Sequence, residues 1–212
     1  MTTALLEIVK AIGPIFILLL VSEVLWRTKK LRGETARKSL HIVIGSYVAL
    51  WPIFLTFQQI QLISVALFIV VLISHRLHIF HAINDVRRKT WGDLLYAVGI
   101  GLTATLTSSP WVFAVAILHM SVADGFAGLV GSNYGKSNQY KVFGNNKSIV
   151  GTGTFIALSF TILALFSQSN PTQTAPYIIA LLPFMAAAVE NIGVMGTDNV
   201  MIPLLLIAVF SL

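Results

Sequence analysis

Four acidic residues stand inside or against apolar stretches of this chain: Asp93, Asp124, Glu190 and Asp198. A carboxylate in such a setting is costly, so each is a functional candidate until a structural partner explains it. Asp124 is the deepest. It lies about seven residues from the end of its apolar run, which at about 1.5 Å per residue is roughly 10 Å below the edge. A buried ion pair with a lysine or arginine of another helix is the structural alternative. Asp93 opens its apolar run, a place that also suits a helix N-cap.

Around Asp124, the residues Ala123, Ala127, Gly131 and Gly135 recur at every fourth position. Such a ridge lets a second helix approach closely, and it also leaves room beside a carboxylate for a nucleotide and its metal. Lys136 follows as a point charge for phosphate. The run Gly131-Ser-Asn-Tyr-Gly135-Lys136-Ser137 has three residues between its glycines where a P-loop has four, and it lacks the preceding strand, so it is not one.

Two further clusters are suited to anions. Gly144-Asn-Asn-Lys147-Ser148-Ile-Val-Gly151-Thr152 places amides, a lysine and hydroxyls at a helix start, where free N–H groups and the positive helix end favour phosphate. A capped helix start explains the same stretch structurally. Arg37 and His41 lie four apart on one helical face with Lys38 beside them, a cationic group of phosphate size that also reads as a basic anchor. His75, His78 and His81 have metal-like spacing, but with only Asp85 nearby they read better as a helix end at headgroup depth. His119, one turn before Asp124, is a hydrogen-bond orienter for it or a packed polar residue.

The elements that must hold these groups are membrane helices. Of 212 residues, 56% are hydrophobic and 10% charged, against about 25% charged in a soluble domain. That composition excludes a soluble globule and a disordered chain, and one domain spanning 1–212 is expected. The absence of cysteine excludes disulfides, thiolate metal sites and a cysteine nucleophile. Eight apolar segments are legible: Ala4 to Trp26, Leu40 to Phe57, Ile60 to Phe80, Leu94 to Thr107, Trp111 to Val130, Ile149 to Phe166, Tyr177 to Val189 and Asn199 to Leu212. The fourth, seventh and eighth are short, so an all-α polytopic fold of seven to eight transmembrane helices is expected. The first carries Glu7 before its apolar run and ends in Arg27, Lys29 and Lys30, as a retained helix does and a signal peptide does not.

Orientation follows from the basic residues. Thirteen of the fourteen lysines and arginines fall after segments one, three and five, and the exception is Lys10. By the positive-inside rule the N-terminus is then outside. Every polar connection of interest, including the stretch from Glu190 to Asp198, falls on the cytoplasmic face. The net charge of +6 suits anionic headgroups or a phosphorylated substrate.

Taken in order, Arg37-Lys38-x-x-His41, Asp124-x-x-Ala127-x-x-x-Gly131-x-x-x-Gly135-Lys136, Lys147-Ser148-x-x-Gly151-Thr152 and Glu190-x-x-x-x-x-Gly196-x-Asp198-Asn199-x-x-x-Pro203 resemble the dolichol kinase, phytol kinase and CTP-dependent diacylglycerol kinase family. The resemblance covers most of the chain. It implies transfer of the γ-phosphoryl group of CTP to a lipid alcohol, with distant kinship to phosphatidate cytidylyltransferases. Many dolichol-type members carry Glu where this chain has Val150, so it looks closer to the phytol kinase variant.

Phosphoryl transfer needs a divalent metal on the phosphates, cations against the developing charge and a base for the acceptor hydroxyl. Asp124 and Asp198 are the expected metal ligands, with Glu190 as third ligand or general base, and Mg²⁺ suits their hard oxygens. Lys136 and Lys147 are expected to bind the triphosphate with Gly131, Gly135, Ser148, Gly151, Thr152 and Asn199, while Arg37, Lys38 and His41 close the site. The lipid alcohol enters sideways from the bilayer, with phytol, a polyprenol and diacylglycerol all admissible. Two other readings compete, a CTP:phosphatidate cytidylyltransferase and an ion- or proton-coupled transporter using the same acids. No nucleic-acid partner is expected.

Overall fold

The computed structural model describes residues 2–77, 90–170 and 174–211, with side chains from Leu6 onward. Eight α-helices among the described residues follow the eight apolar segments of the sequence: α1 (Thr2–Arg27), α2 (Gly33–Val48), α3 (Phe57–Leu77), α4 (Gly92–Leu106), α5 (Pro110–Tyr134), α6 (Ile149–Ser169), α7 (Pro176–Ile192) and α8 (Asp198–Phe210). By length and composition α1, α3, α5 and α6 can cross a membrane, and α4, α7 and α8 are shorter apolar helices, as the sequence indicated. The outer surface is built from large apolar side chains such as Ile17, Leu62, Val65, Leu165 and Leu181, each more than half exposed. Such a surface is stable against lipid and not against water. This is an integral membrane protein.

Local sequence sets several boundaries. Thr56 and Gln59 form a reciprocal capping box at the start of α3, with Thr56 N donating to Gln59 Oε1 at 2.7 Å and Gln59 N to Thr56 Oγ1 at 3.3 Å. Ser109 caps α5, and Pro110 occupies its first turn, where a missing N–H costs nothing. The second segment differs from expectation. Its helix begins at Gly33 and ends at Val48, because Pro52 sits in a 3₁₀ turn over Trp51–Ile53 and cannot continue the helix. Arg37, Lys38 and His41 are therefore well inside α2 and buried, not at its mouth.

The helix α5 is the axis of the bundle. In its most apolar stretch 67% of residues are buried, against 22% in α1 and α3 and 33% in α6. One side of α5, with Val112, Val115 and Ala116, packs on Phe155 and Leu163 of α6, Leu182 of α7 and Ile202 and Leu206 of α8. The other, with Phe113, Ile117 and Met120, packs on Ile15 of α1, Trp51, Ile60 of α3 and Ile100 of α4. Five residues, His119–Ala123, form a π-helical turn directly before Asp124. Such a turn inserts an extra residue into the helix and re-aims the side chains beyond it.

The fold is all-α, as expected, with one short non-helical element added. Between α5 and α6 the strands β1 (Gln139–Val142) and β2 (Asn145–Ser148) pair antiparallel, with Gln139 opposite Ser148 and Val142 opposite Asn145. The two-residue turn places Phe143 at φ 46° and Gly144 at φ 83°, the double left-handed conformation that matches hairpin twist. Polar strands without alternating apolar residues give no sequence signal of this kind. The run from Gly131 to Lys136 forms the last turn and end of α5 and follows no strand, so its exclusion as a P-loop holds.

Candidate active site

At one end of the bundle a cavity of about 750 Å³ draws its walls from four connections. Arg32 comes from between α1 and α2, with Gly33 at the start of α2, Thr90 from the approach to α4, Lys136, Gln139 and Asn145 to Lys147 from between α5 and α6, and Gly193, Met195 and Gly196 from between α7 and α8, with Asp198 at the start of α8. Close backbone packing makes this convergence feasible. A Cβ on Gly99 of α4 would collide with the carbonyl oxygen of Asn199, so glycine there lets α8 start against α4. The loop before α8 is tied to the same place, with Trp91 N donating to Met195 O at 3.0 Å.

Three carboxylates meet in this cavity. Donor atoms of Asp124, Glu190 and Asp198 lie within 4.8 Å of one another. Lys38 Nζ donates to Asp124 Oδ2 at 2.5 Å, with both side chains buried. Lys147 Nζ donates to Glu190 Oε1 at 2.5 Å and to the Glu190 carbonyl at 2.8 Å. Three anions thus share two lysines, and Asp198 has no ion pair among the described residues. Beside them the Oδ1 of Asn199 is buried without a partner among the described residues, while its Nδ2 donates to Gly92 O at 2.9 Å. An excess negative charge, an all-oxygen donor set and an unpartnered amide oxygen fit a hard divalent cation such as Mg²⁺.

The structure brings together nearly all the residues singled out in sequence. Arg37, Lys38, Asp124, Gly131, Lys136, Lys147, Ser148, Gly151, Thr152, Glu190, Asp198 and Asn199 line the cavity. His41 and Gly135 do not. The Nε2 of His41 donates to Met120 O at 2.9 Å and sits 3.5 Å from Asp124 Oδ2, so the ring backs the carboxylate from outside the cavity. Gly135 packs where a Cβ would strike Ser148 and the carbonyl of Gly131, and a Cβ on Gly151 would come 3.0 Å from Ala127 O. The small-residue ridge therefore joins α5 to the start of α6, and Gly131 serves the cavity as well. Asp124 is ion-paired, as the structural alternative for it had it, and it also stands in the carboxylate cluster.

Other expectations are revised. Ser148 caps α6 by accepting from Gly151 N at 3.1 Å, so one of the amides expected to face phosphate is already used. His119 does not orient Asp124. Its ring bonds Val115 O and Ser159 Oγ, each at 2.8 Å, as a packed polar residue of the core. Asp93 is not an N-cap, since Trp91 holds that position; it lies 3.8 Å from Arg37 Nη1 and 3.5 Å from His75 Nε2. His78, His81, Asp85, Arg87, Arg88 and Lys89 lie outside the described residues.

Sequence reading missed two supports. Glu34 accepts from Arg37 Nη2 at 2.6 Å, a pairing that the three-residue spacing on a helix would have signalled. Tyr140 Oη bonds Thr152 Oγ1 at 2.5 Å and donates to Asn191 Oδ1 at 2.6 Å, tying the hairpin to α6 and α7. No spacing rule anticipates that contact, because 51 residues separate its ends.

No family model matches the sequence, and no solved structure matches it. Phytol kinase of Synechocystis sp. is 31% identical over 191 residues, which cover 87% of this chain and 82% of that protein. The chain belongs to the phytol and polyprenol kinase family. For a member of that family, the carboxylate cluster, its lysines and the hairpin form a cavity at a helix-bundle end, beside helices long enough to stand in the bilayer.

Proposed function

We propose that this protein is a CTP-dependent kinase that moves the γ-phosphoryl group onto the hydroxyl of a membrane lipid alcohol, using Mg²⁺. Kinship to a phytol kinase supports the reaction class, and the three carboxylates gathered within 4.8 Å on the wall of a 750 Å³ cavity carry the site assignment. A cavity of that volume lies in the range of small-molecule sites, about 300–1,000 Å³. Asp124 and Asp198, with the Asn199 amide oxygen, would hold the metal, whose chemistry is to neutralise charge on the triphosphate.

The chain's own groups do the rest. Lys147, Lys136 and Arg37 face the cavity and offset charge on the phosphate oxygens, worth more in a water-poor site than in bulk. The alcohol oxygen attacks the γ-phosphorus, the bond from that phosphorus to the β-bridging oxygen breaks, CDP leaves, and the hydroxyl proton passes to a carboxylate, for which Glu190 is our assignment. Because the transition state is loose, positioning dominates and strong basicity is not required. The cavity end is the cytoplasmic face, by the distribution of basic residues, and the N-terminus is outside. The substrate is phytol or a related single-chain isoprenoid alcohol.

The deciding experiment supplies purified protein and Mg²⁺ with CTP labelled at the γ- or the α-phosphorus, together with phytol, a polyprenol, diacylglycerol and phosphatidic acid. γ-Label in the alcohol is the expected result. α-Label in phosphatidic acid would make the protein a cytidylyltransferase. No transfer, with Asp124-dependent ion flux in vesicles, would assign the acids to transport.

A further inference from the structure

A second cavity, of about 110 Å³, lies between α1, α2, α3 and α4. Its body is apolar, formed by Leu19, Ile44, Leu67, Val71, Ala97 and Ile100. Its polar groups are Arg37, His41, Asp93 and Tyr96. Arg37 also lines the large cavity, so one guanidinium is a wall of both. His41, lining the apolar cleft, has its Nε2 only 3.5 Å from Asp124 Oδ2 in the carboxylate cluster. Val70 belongs to the same lining and is 49% exposed, and beside it on α3 Leu62, Val65, Ile69 and Ile73 are exposed as well. The cleft therefore opens sideways onto an apolar helix face at membrane depth.

We propose that this cleft seats the chain of the lipid alcohol, which enters from the bilayer along α3 and carries its hydroxyl to the Arg37–His41–Asp93 rim, next to the carboxylates. This rests on the lipid-alcohol kinase reading and adds where the substrate lies. Three observations carry it. The cleft is apolar in its body with its polar groups among the residues that adjoin the carboxylate site, which matches a molecule with one hydroxyl and one hydrocarbon tail. It abuts the phosphate-binding cavity, with Arg37 in the wall of both, so an alcohol seated there has its hydroxyl beside the reacting phosphorus while its chain stays in hydrocarbon. Its volume takes the first part of one chain and not the paired chains of a diglyceride, with the rest lying along exposed α3. Tyr96, whose hydroxyl donates to His41 O at 3.2 Å and whose ring lies 4.3 Å from that of His41, fixes the rim.

Two measurements on the full chain test this. In the first, a diazirine-bearing farnesol is photolysed with the protein in lipid nanodiscs, and the labelled peptides are mapped with and without excess phytol. Phytol-competed label on residues 15–19 of α1 and 67–71 of α3 is expected. Competed label confined to α6 and α7, or no competed label, overturns the seat. In the second, Ala97→Phe fills the cleft and Val70→Trp obstructs its mouth, and each is assayed with geranylgeraniol and with prenol in the same preparation. The long-to-short ratio of kcat/KM should fall by at least about tenfold, as selectivity in apolar pockets does when a few carbons are excluded. Because it is a ratio, loss of folded protein cancels. An unchanged ratio in both variants, with transfer intact, overturns the seat and leaves the kinase reading standing. If wild-type protein transfers no phosphoryl group to any alcohol while the competed label still maps to the cleft, the kinase reading fails and the seat survives.

Discussion

Asp124 and Asp198 belong to one carboxylate cluster but differ in what holds them. Asp124 is buried against Lys38 at 2.5 Å, whereas Asp198 is half-buried and, among the described residues, accepts only from the neighbouring Asn199 N at 3.1 Å. Asp124→Asn takes from the buried Lys38 ammonium the carboxylate it is bonded to, and breaking such a buried pair costs about 3–5 kcal/mol. Turnover should then be lost by at least about a hundredfold in both Asp124→Asn and Asp198→Asn, since each removes charge positioned at the reacting phosphates. Only Asp124→Asn should also lower the unfolding temperature in detergent. Equal unfolding temperatures for the two variants, read by intrinsic fluorescence, would show that the Lys38 pair carries no stability. The acids themselves were legible in the sequence, because a carboxylate in an apolar run has few explanations. Their lysine partners were not: Lys38 reaches Asp124 across 86 residues and Lys147 reaches Glu190 across 43, and nothing in local spacing encodes such contacts.

At the scale of elements, the π-helical turn at His119–Ala123 directly precedes Asp124 and the hairpin carries Lys147. Deleting Val122 restores a regular α-helix and rotates Asp124 by about 100° relative to the first half of α5. The chain should still insert, since the apolar run remains long, but phosphoryl transfer from γ-labelled CTP should vanish; retained activity would mean that the extra residue does not aim Asp124. In the hairpin, Gly144 has φ 83°, and Gly144→Val should cost about 1 kcal/mol or more in the turn. Because β2 carries Lys147, the expected readout is a KM for CTP raised several-fold with a smaller change in kcat. Helices α1 and α3 to α8 were readable from apolar length alone. The hairpin and the upward shift of α2 were not, since polar strands lack periodicity and the run through Leu50 conceals the break that Pro52 imposes.

For the whole molecule, four separate connections line one cavity, so they stand on the same side of the bilayer. Reporters inserted near Gly33 and Asn138 should therefore give one signal, cytoplasmic, and reporters near Gln58 and Asn170 the opposite one. If Gly33 and Asn138 were found on opposite faces, the composite site could not form. The charge asymmetry from which this orientation is predicted is visible in the sequence because it is a property of loops counted one by one. The two-cavity arrangement around Arg37 is not, because it depends on how α1 to α4 lean together.

The burial of α5 bears on how the protein is made. Helices α1 and α3 turn most of their surface outward and can settle in lipid singly as they leave the ribosome. Helix α5 carries Asp124 near its middle, and an aspartate at the centre of a lone helix opposes insertion by about 2.5–3.5 kcal/mol. Its counter-charge, Lys38, sits on α2 and is synthesised long before it. Biogenesis is then ordered, with α2 waiting in the membrane as the acceptor that makes α5 admissible. Fused to a glycosylation-site insertion reporter, α5 alone should insert poorly, better behind α1 to α4, and poorly again when that upstream segment carries Lys38→Met.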